Sequence, residues 1–287
     1  MRGEMIDIGG RALRIVRAGP AAADRPLVVL EAGAFGFSAD WAAVQSELAG
    51  RGFASLAYDR AGLGRSDPGP PPRDGAAIGA DLEALLDTAA PQGPLLLVGH
   101  SMAGLHIHRL AARWPERVMG LVLVDATTPA AMNSGLVSLF VGQFGALSKL
   151  AAWTAGTGLL KPLAGTGFGD MIGLSGDAES EKRWAFADAV HAAAAAAEVE
   201  AWPAAARQAL AAGDLDPKLP VAVILAGPAS ANGAYKALQC APAEASFHGL
   251  VDHVDGATHA SILGQEHAPA IVRGIEHVWR ASAVAEG

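Results

Sequence analysis

Short apolar runs alternate with helix-like stretches along most of this chain. Leu27-Val28-Val29-Leu30 is a continuous apolar run of the kind a strand covered on both faces requires. Phe53–Tyr58, Leu95–Val98, Val118–Val124 and Val221–Leu225 repeat the pattern, and Phe247–Val254 reads as the last strand. Between them lie helical stretches: Ala39–Ala49, which Ser38 is placed to cap, Ala76–Ala89 with Leu82, Leu85 and Leu86 on one face, and Leu105–Trp114. Met5–Val16 alternates around Gly9-Gly10 and predicts a hairpin. His267–Ala281, with Pro269 near its first turn, predicts a closing helix. Strands alternating with helices predict an α/β protein whose mostly parallel sheet is covered on both faces.

The alternation stops between Pro129 and Asp214, where the chain is rich in Ala, Gly, Leu and Trp. Ala192–Ala197 is the strongest local helix signal in the sequence. The expected organisation is a core domain made of 1–129 and 214–287 with a helical cap over 130–213. Ligands of open α/β sheets bind at the carboxyl ends of the strands, and an insert after Val118–Val124 would lie over that end. Its tryptophans, Trp153, Trp184 and Trp202, either shape an apolar pocket or form the cap's own core. Gly135–Trp153 is mostly apolar, but Gln143, Lys149 and several glycines interrupt it, so a hydrophobic lid helix or helix pair is expected rather than a membrane span.

Composition narrows the classes. The 287 residues suffice for one large domain or a domain with a cap, and 51% hydrophobic residues supply a substantial core and argue against disorder. A net charge of −8, spread along the chain, argues against a nucleic-acid partner. Cys240 is the only cysteine, which excludes an internal disulfide framework. Met1–Asp7 carries charge and no long apolar stretch, unlike a secretory signal, and the expected location is cytoplasmic. No HExxH or Cys/His cluster and no complete dinucleotide fingerprint is present, so neither a metal nor a cofactor is expected.

The candidate chemistry centres on Gly99-His100-Ser101-Met102-Ala103-Gly104. A serine on a tight turn between a buried strand and a helix is a nucleophile elbow, although Ala103 stands where the usual G-x-S-x-G pattern has glycine. Such a turn lifts the hydroxyl above the sheet and sets the Met102 N–H at a helix N-terminus, where an oxyanion would form. His100, as the serine's chain neighbour, is expected to point away from the site.

These residues, with Leu30-Glu31-Ala32-Gly33, the loop Tyr58-Asp59-Arg60-Ala61-Gly62-Leu63-Gly64-Arg65-Ser66-Asp67, Leu121–Ala126 and Gly256-Ala257-Thr258-His259, resemble the α/β-hydrolase superfamily in order and spacing. The resemblance implies an eight-stranded, mostly parallel sheet, a helical cap and a Ser-acid-His triad. It makes Ser101 the nucleophile and His259, after the last strand, its base. Many members carry the acid after the strand that is Val221–Leu225 here, but Ser230 occupies that position and Asn232 is the nearest other polar residue. The superfamily's second solution places the acid one strand earlier, at Asp125; Asp252 and Asp255 are reserves. The second oxyanion donor is expected at Ala34 N–H, with Phe35 in reserve, and Asp59 and Arg60 are read as groups that hold their loop.

The functional expectation is therefore a serine hydrolase acting on a carboxylic ester or related acyl compound with a hydrophobic part. A serine nucleophile argues against dehalogenase and epoxide-hydrolase chemistry, which uses aspartate at this position. Two other readings share the scaffold: a cofactor-free ring-cleaving dioxygenase or C–C bond hydrolase on the same triad, and a non-catalytic small-molecule binder.

Overall fold

The computed structural model describes residues 2–22, 25–90, 92–133, 135–231 and 233–285. The strands are β1 (Glu4–Asp7), β2 (Ala12–Ala18), β3 (Leu27–Glu31), β4 (Ser55–Tyr58), β5 (Leu95–His100), β6 (Val118–Val124), β7 (Val221–Ala226) and β8 (Leu250–Val254). They form one eight-stranded sheet in the order β1-β2-β4-β3-β5-β6-β7-β8. The β1–β2 hairpin turns at Gly9 and Gly10, both with positive φ, and β2 runs antiparallel to β4. All other pairs are parallel.

Helices α1 (Ala42–Gly50), α2 (Gly75–Ala89) and α3 (Ala103–Arg113) follow β3, β4 and β5. Then α4 (Gly135–Thr157), α5 (Lys161–Ala164), α6 (Gly176–Phe186) and α7 (Ala189–Ala211) make up the segment between β6 and β7. Helix α8 (Ala234–Ala245) joins β7 to β8, and α9 (Ala268–Ala285) ends the chain. Because side chains alternate along a strand, each central strand feeds two cores. Val28, Leu30, Leu96, Val98, Val122 and Val124 pack towards α1 and α9. Val29, Leu95, Leu97, Leu121 and Leu123 pack towards α2, α3 and α8. Burial on both faces is why these runs read as continuously apolar.

A third cluster joins Met102 and Leu105, at the start of α3, to Val141 of α4 and to Val199, Trp202, Ala205, Ala206 and Ala209 of α7. The alanine-rich sequence of α7 thus serves two ends: high helix propensity and a flat face that lets helices approach. Asp188 caps α7 by accepting from the His191 N–H at 2.9 Å, and Asp74 caps α2 by accepting from the Ala76 and Ala77 N–H groups.

Local readings differ from the structure at two places, Ser38 and helix α8. Ser38 does not cap a helix: it begins a short 3₁₀ turn, Ser38–Trp41, and its N–H donates to the buried Asp59 carboxylate at 2.9 Å, so α1 starts only at Ala42. The apolar run Gly135–Trp153, expected as a lid helix or helix pair, lies in a single helix, α4. Helix α8 was not anticipated, because Pro242 sits inside it and masks its pattern. Among the described residues, no helix is long and apolar enough to cross a membrane.

Glycine spacing yields a stability test. A Cβ at Gly104 would stand 2.5 Å from the Thr127 carbonyl oxygen, whereas nothing lies within 4 Å of a Cβ at Gly145 inside α4. Gly104→Val is expected to lower stability by about 1–3 kcal/mol or more through overpacking. Gly145→Ala is expected to raise it by roughly 0.5–1 kcal/mol by removing glycine's backbone freedom. Denaturant unfolding of both variants checks the pair.

Candidate active site

Strand β5 ends at His100, and the chain turns through Ser101 into α3. Ser101 adopts φ 57°, a left-handed conformation that costs a non-glycine residue of order 1 kcal/mol or more and needs support from its surroundings. That support is visible. The Ser101 N–H donates to Val124 O at 3.1 Å, and Ser101 O accepts from the Thr127 and Gly104 N–H groups at 2.9 and 3.2 Å. The departure from G-x-S-x-G also finds its reason here. It is Gly104, not residue 103, that passes against the 126–127 backbone, so Ala103 fits fully buried.

Asp125 follows β6, also left-handed at φ 42°, with its N–H bonded to Ile224 O of β7 at 2.7 Å. His259 lies in the loop after β8. The structure brings the two together: His259 Nδ1 is 2.6 Å from Asp125 Oδ2. A carboxylate only accepts, so Nδ1 carries the proton and Nε2 keeps its lone pair. Burial raises the Asp125 carboxyl pKa, but the hydrogen bond from His259 leads the opposing effects and the group ends below the usual carboxylate value. Of the alternatives, Asp252 pairs with Arg273 at 3.0 Å, Asp255 is exposed, Ser230 is exposed, and Asn232 falls outside the described residues.

His100 does not point away. Its ring lies against that of His259, with centroids 4.6 Å apart, and its Nε2–H donates to the His259 carbonyl at 2.8 Å. A β-strand residue one place before the turn projects to the opposite side from its predecessor, and here that side is the cavity. Sequence reasoning missed this because a side chain's direction at a strand end depends on where the strand stops.

Ala34 sits in the turn after β3. Gly36 N–H donates to Gly33 O at 3.1 Å, and Phe35 has φ 58°, which defines a type II turn with Ala34 at its first central position. Gly33 is required beside it, since a Cβ there would stand 2.8 Å from Ser101 Cβ. The Met102 N–H heads α3, and the Met102 side chain is buried in the cluster under α7.

Ser101, His100, His259, Ala34 and Gly33 line a cavity of about 400 Å³. The other walls are largely apolar and come from the inserted helices and their loops: Phe144, Leu160, Phe168, Met171, Phe186 and Trp202. Trp202 is therefore both core and wall, Trp153 is exposed, and Trp184 stacks under the Arg65 guanidinium. Polar exceptions are the Lys182–Asp40 ion pair at 2.8 Å and His191, which accepts the Gly64 N–H at Nδ1. Among the described residues, no cluster of His, Cys, Asp and Glu could hold a metal ion.

Burial drops both His100 and His191 to a pKa of about 3, with Lys182 adding repulsion at His191. In the unfolded chain both titrate near the ordinary 6.5, so the unfolded state binds more protons below that pH. Stability from this source is complete above about pH 6.5 and is lost as the pH falls from there towards 3, on the order of 1 kcal/mol per pH unit for each ring. Melting temperatures between pH 7.5 and 4.5 should fall with acid, and His191→Gln should flatten the fall. An unchanged slope in the variant would rule out this role.

Residues 26–159 match a family model described as alpha/beta hydrolase fold. The chain is 34% identical over 133 residues to a protein from Hormonema carpetanum named "Probable transporter efuK", covering 43% of this chain and 18% of that one. It is 29% identical over 118 residues to an AB hydrolase superfamily protein of Gibberella zeae, covering 40% and 36%. The chain spans less than half the length of the curated relatives it matches. Its fold is similar to that of the enol-lactonase from Burkholderia xenovorans LB400, with a TM-score of 0.68, 20% identity, and coverage of 96% of this chain and 100% of that one. With the eight-stranded sheet and its crossover order, these matches show that the chain has the α/β-hydrolase fold.

Proposed function

We propose that the protein is a serine hydrolase that cleaves a carboxylic ester, or a related acyl compound, with a hydrophobic moiety. The observation that carries this reading is the 2.6 Å bond from His259 to Asp125 beside a serine held in a left-handed turn on the floor of one cavity. Asp125 fixes the imidazole tautomer and stabilises its cation, leaving Nε2 as the base. Nε2 takes the proton of Ser101 as Oγ attacks the substrate carbonyl. The Ala34 and Met102 N–H groups hold the resulting oxyanion; among the described residues neither bonds another backbone acceptor. Imidazolium returns the proton to the leaving alcohol, and water activated by the same imidazole releases the acid. Helices α4–α7 act as a cap, and their phenylalanines, Met171 and Trp202 favour an apolar acyl or alcohol portion. The enol-lactonase likeness is compatible with acyl chemistry of this kind.

Two measurements test the reading. Wild type is expected to hydrolyse short- and medium-chain p-nitrophenyl esters, and Ser101→Ala to lose that activity; equal rates would reject the assignment. Asp125→Asn is expected to lower kcat by up to about 10⁴-fold with the fold retained, because the amide favours the wrong tautomer. Near-normal turnover in Asp125→Asn combined with loss in Asp252→Asn would move the acid to β8.

A further inference from the structure

Arg60 is 2% exposed, and every N–H of its guanidinium is engaged. Nε donates to Glu198 Oε1 and Oε2 at 2.9 and 3.0 Å, and Nη2 donates to Glu198 Oε2 at 2.8 Å. Nη1 donates to Glu31 Oε1 at 2.9 Å and to Ala32 O at 2.5 Å, and Nη2 also donates to Gly33 O at 2.8 Å. Glu31 ends β3, Ala32 and Gly33 begin the turn that carries Ala34, and Glu198 belongs to the inserted helix α7. Carboxylates on both sides keep the guanidinium charged despite its burial.

The geometry of the peptide unit gives this network a consequence. In a trans peptide the C=O and the following N–H point in opposite directions. Gly33 O is held on Arg60, so the Ala34 N–H of the same unit is turned away from Arg60, on the side where the loop lines the cavity with Ser101. A carbonyl bonded to a cation also polarises its own amide and makes the N–H a stronger donor. The turn's remaining anchored carbonyl, Phe35 O, accepts from Lys182 Nζ at 3.3 Å, again a group of the insert. The loop is thus gripped by its carbonyls, and among the described residues the Ala34 N–H donates to no backbone acceptor.

We propose that Arg60, clamped by Glu198 of α7, is a positioning residue for the oxyanion hole, aiming and polarising the Ala34 N–H. The inserted helix then supports the transition state as well as covering the substrate. This rests on the serine-hydrolase reading.

The test uses Arg60→Lys, which keeps the charge but not the planar fork, and Glu198→Gln, which keeps the shape but not the charge. Steady-state hydrolysis of a p-nitrophenyl ester, inhibition by phenylboronic acid and melting temperature are measured for each. The expected result is a kcat lowered roughly 10- to 100-fold, below the 10²–10³ typical of deleting a donor outright, with KM within about threefold. Boronate inhibition, which places an oxygen in the same hole, weakens in parallel. In Ala34→Pro, which a type II turn accepts at this position and which removes the N–H, adding Glu198→Gln or Arg60→Lys is expected to cost little more. A raised KM with normal kcat, or the same loss of kcat in both backgrounds, would overturn the proposal and leave Arg60 as a cap anchor. If Arg60→Lys does not fold, Glu198→Gln alone decides. A wild type that neither hydrolyses esters nor reacts with a fluorophosphonate at Ser101 would reject the serine-hydrolase reading and this one with it; an active wild type with unaffected variants rejects only this one.

Discussion

The hydrogen bond from His259 Nδ1–H to Asp125 Oδ2, 2.6 Å long, spans from the end of β6 to the loop after β8, across the end of β7. It can form only if three strands stop at matched heights and if Asp125 leaves its strand in a left-handed turn. Parallel pairing of β6, β7 and β8 sets the heights through a continuous register. The Asp125 N–H bond to Ile224 O then holds the turn against its neighbour. The sheet acts as a template whose rigidity is transferred to the imidazole.

Three described residues other than glycine have positive φ: Phe35, Ser101 and Asp125. All three lie at carboxyl ends of adjacent or near-adjacent strands around one cavity. Such conformations persist where surrounding bonds over-determine them. For Ser101 the determinants are backbone bonds to Val124 and Thr127, and for Phe35 they are the Gly36–Gly33 turn bond and Lys182 on its carbonyl. Strain concentrated this way sets side-chain hydroxyl, carboxylate and backbone N–H groups in directions that regular strands and helices cannot provide.

The insert meets the core in two physically different ways. Under α7 the contact is apolar, with Met102 and Leu105 packed against alanines and Trp202. Around the turn after β3 it is ionic and buried, through Arg60–Glu198 and Lys182–Asp40. Breaking one partner of such a pair leaves an uncompensated charge, so these contacts favour one seating of the helices over others. Helices α6 and α7 thus serve both, with Phe186 and Trp202 on the cavity wall and Lys182 and Glu198 in the polar grip on the loop.

Much of this was legible along the chain, because its causes are local. Burial of a central strand on both faces demands continuous apolar runs, a strand-to-helix turn demands small residues around Ser101, and alanine content foretells α7. Asp125, His259 and Ala34 could be nominated because the resemblance to the α/β-hydrolase superfamily assigns roles to residues after those strands, and Met102 because it follows the elbow serine. What sequence left open was decided by register and by contacts across long stretches of chain. Whether Asp125 or another acid faces His259 depends on where β6 and β8 end relative to each other. The direction of His100 depends on where β5 stops. The partner of Arg60 lies 138 residues away in the insert. Periodicity reports what a residue's own element buries; it carries no information about which distant element comes to meet it, and only the folded sheet and its inserted helices supply that.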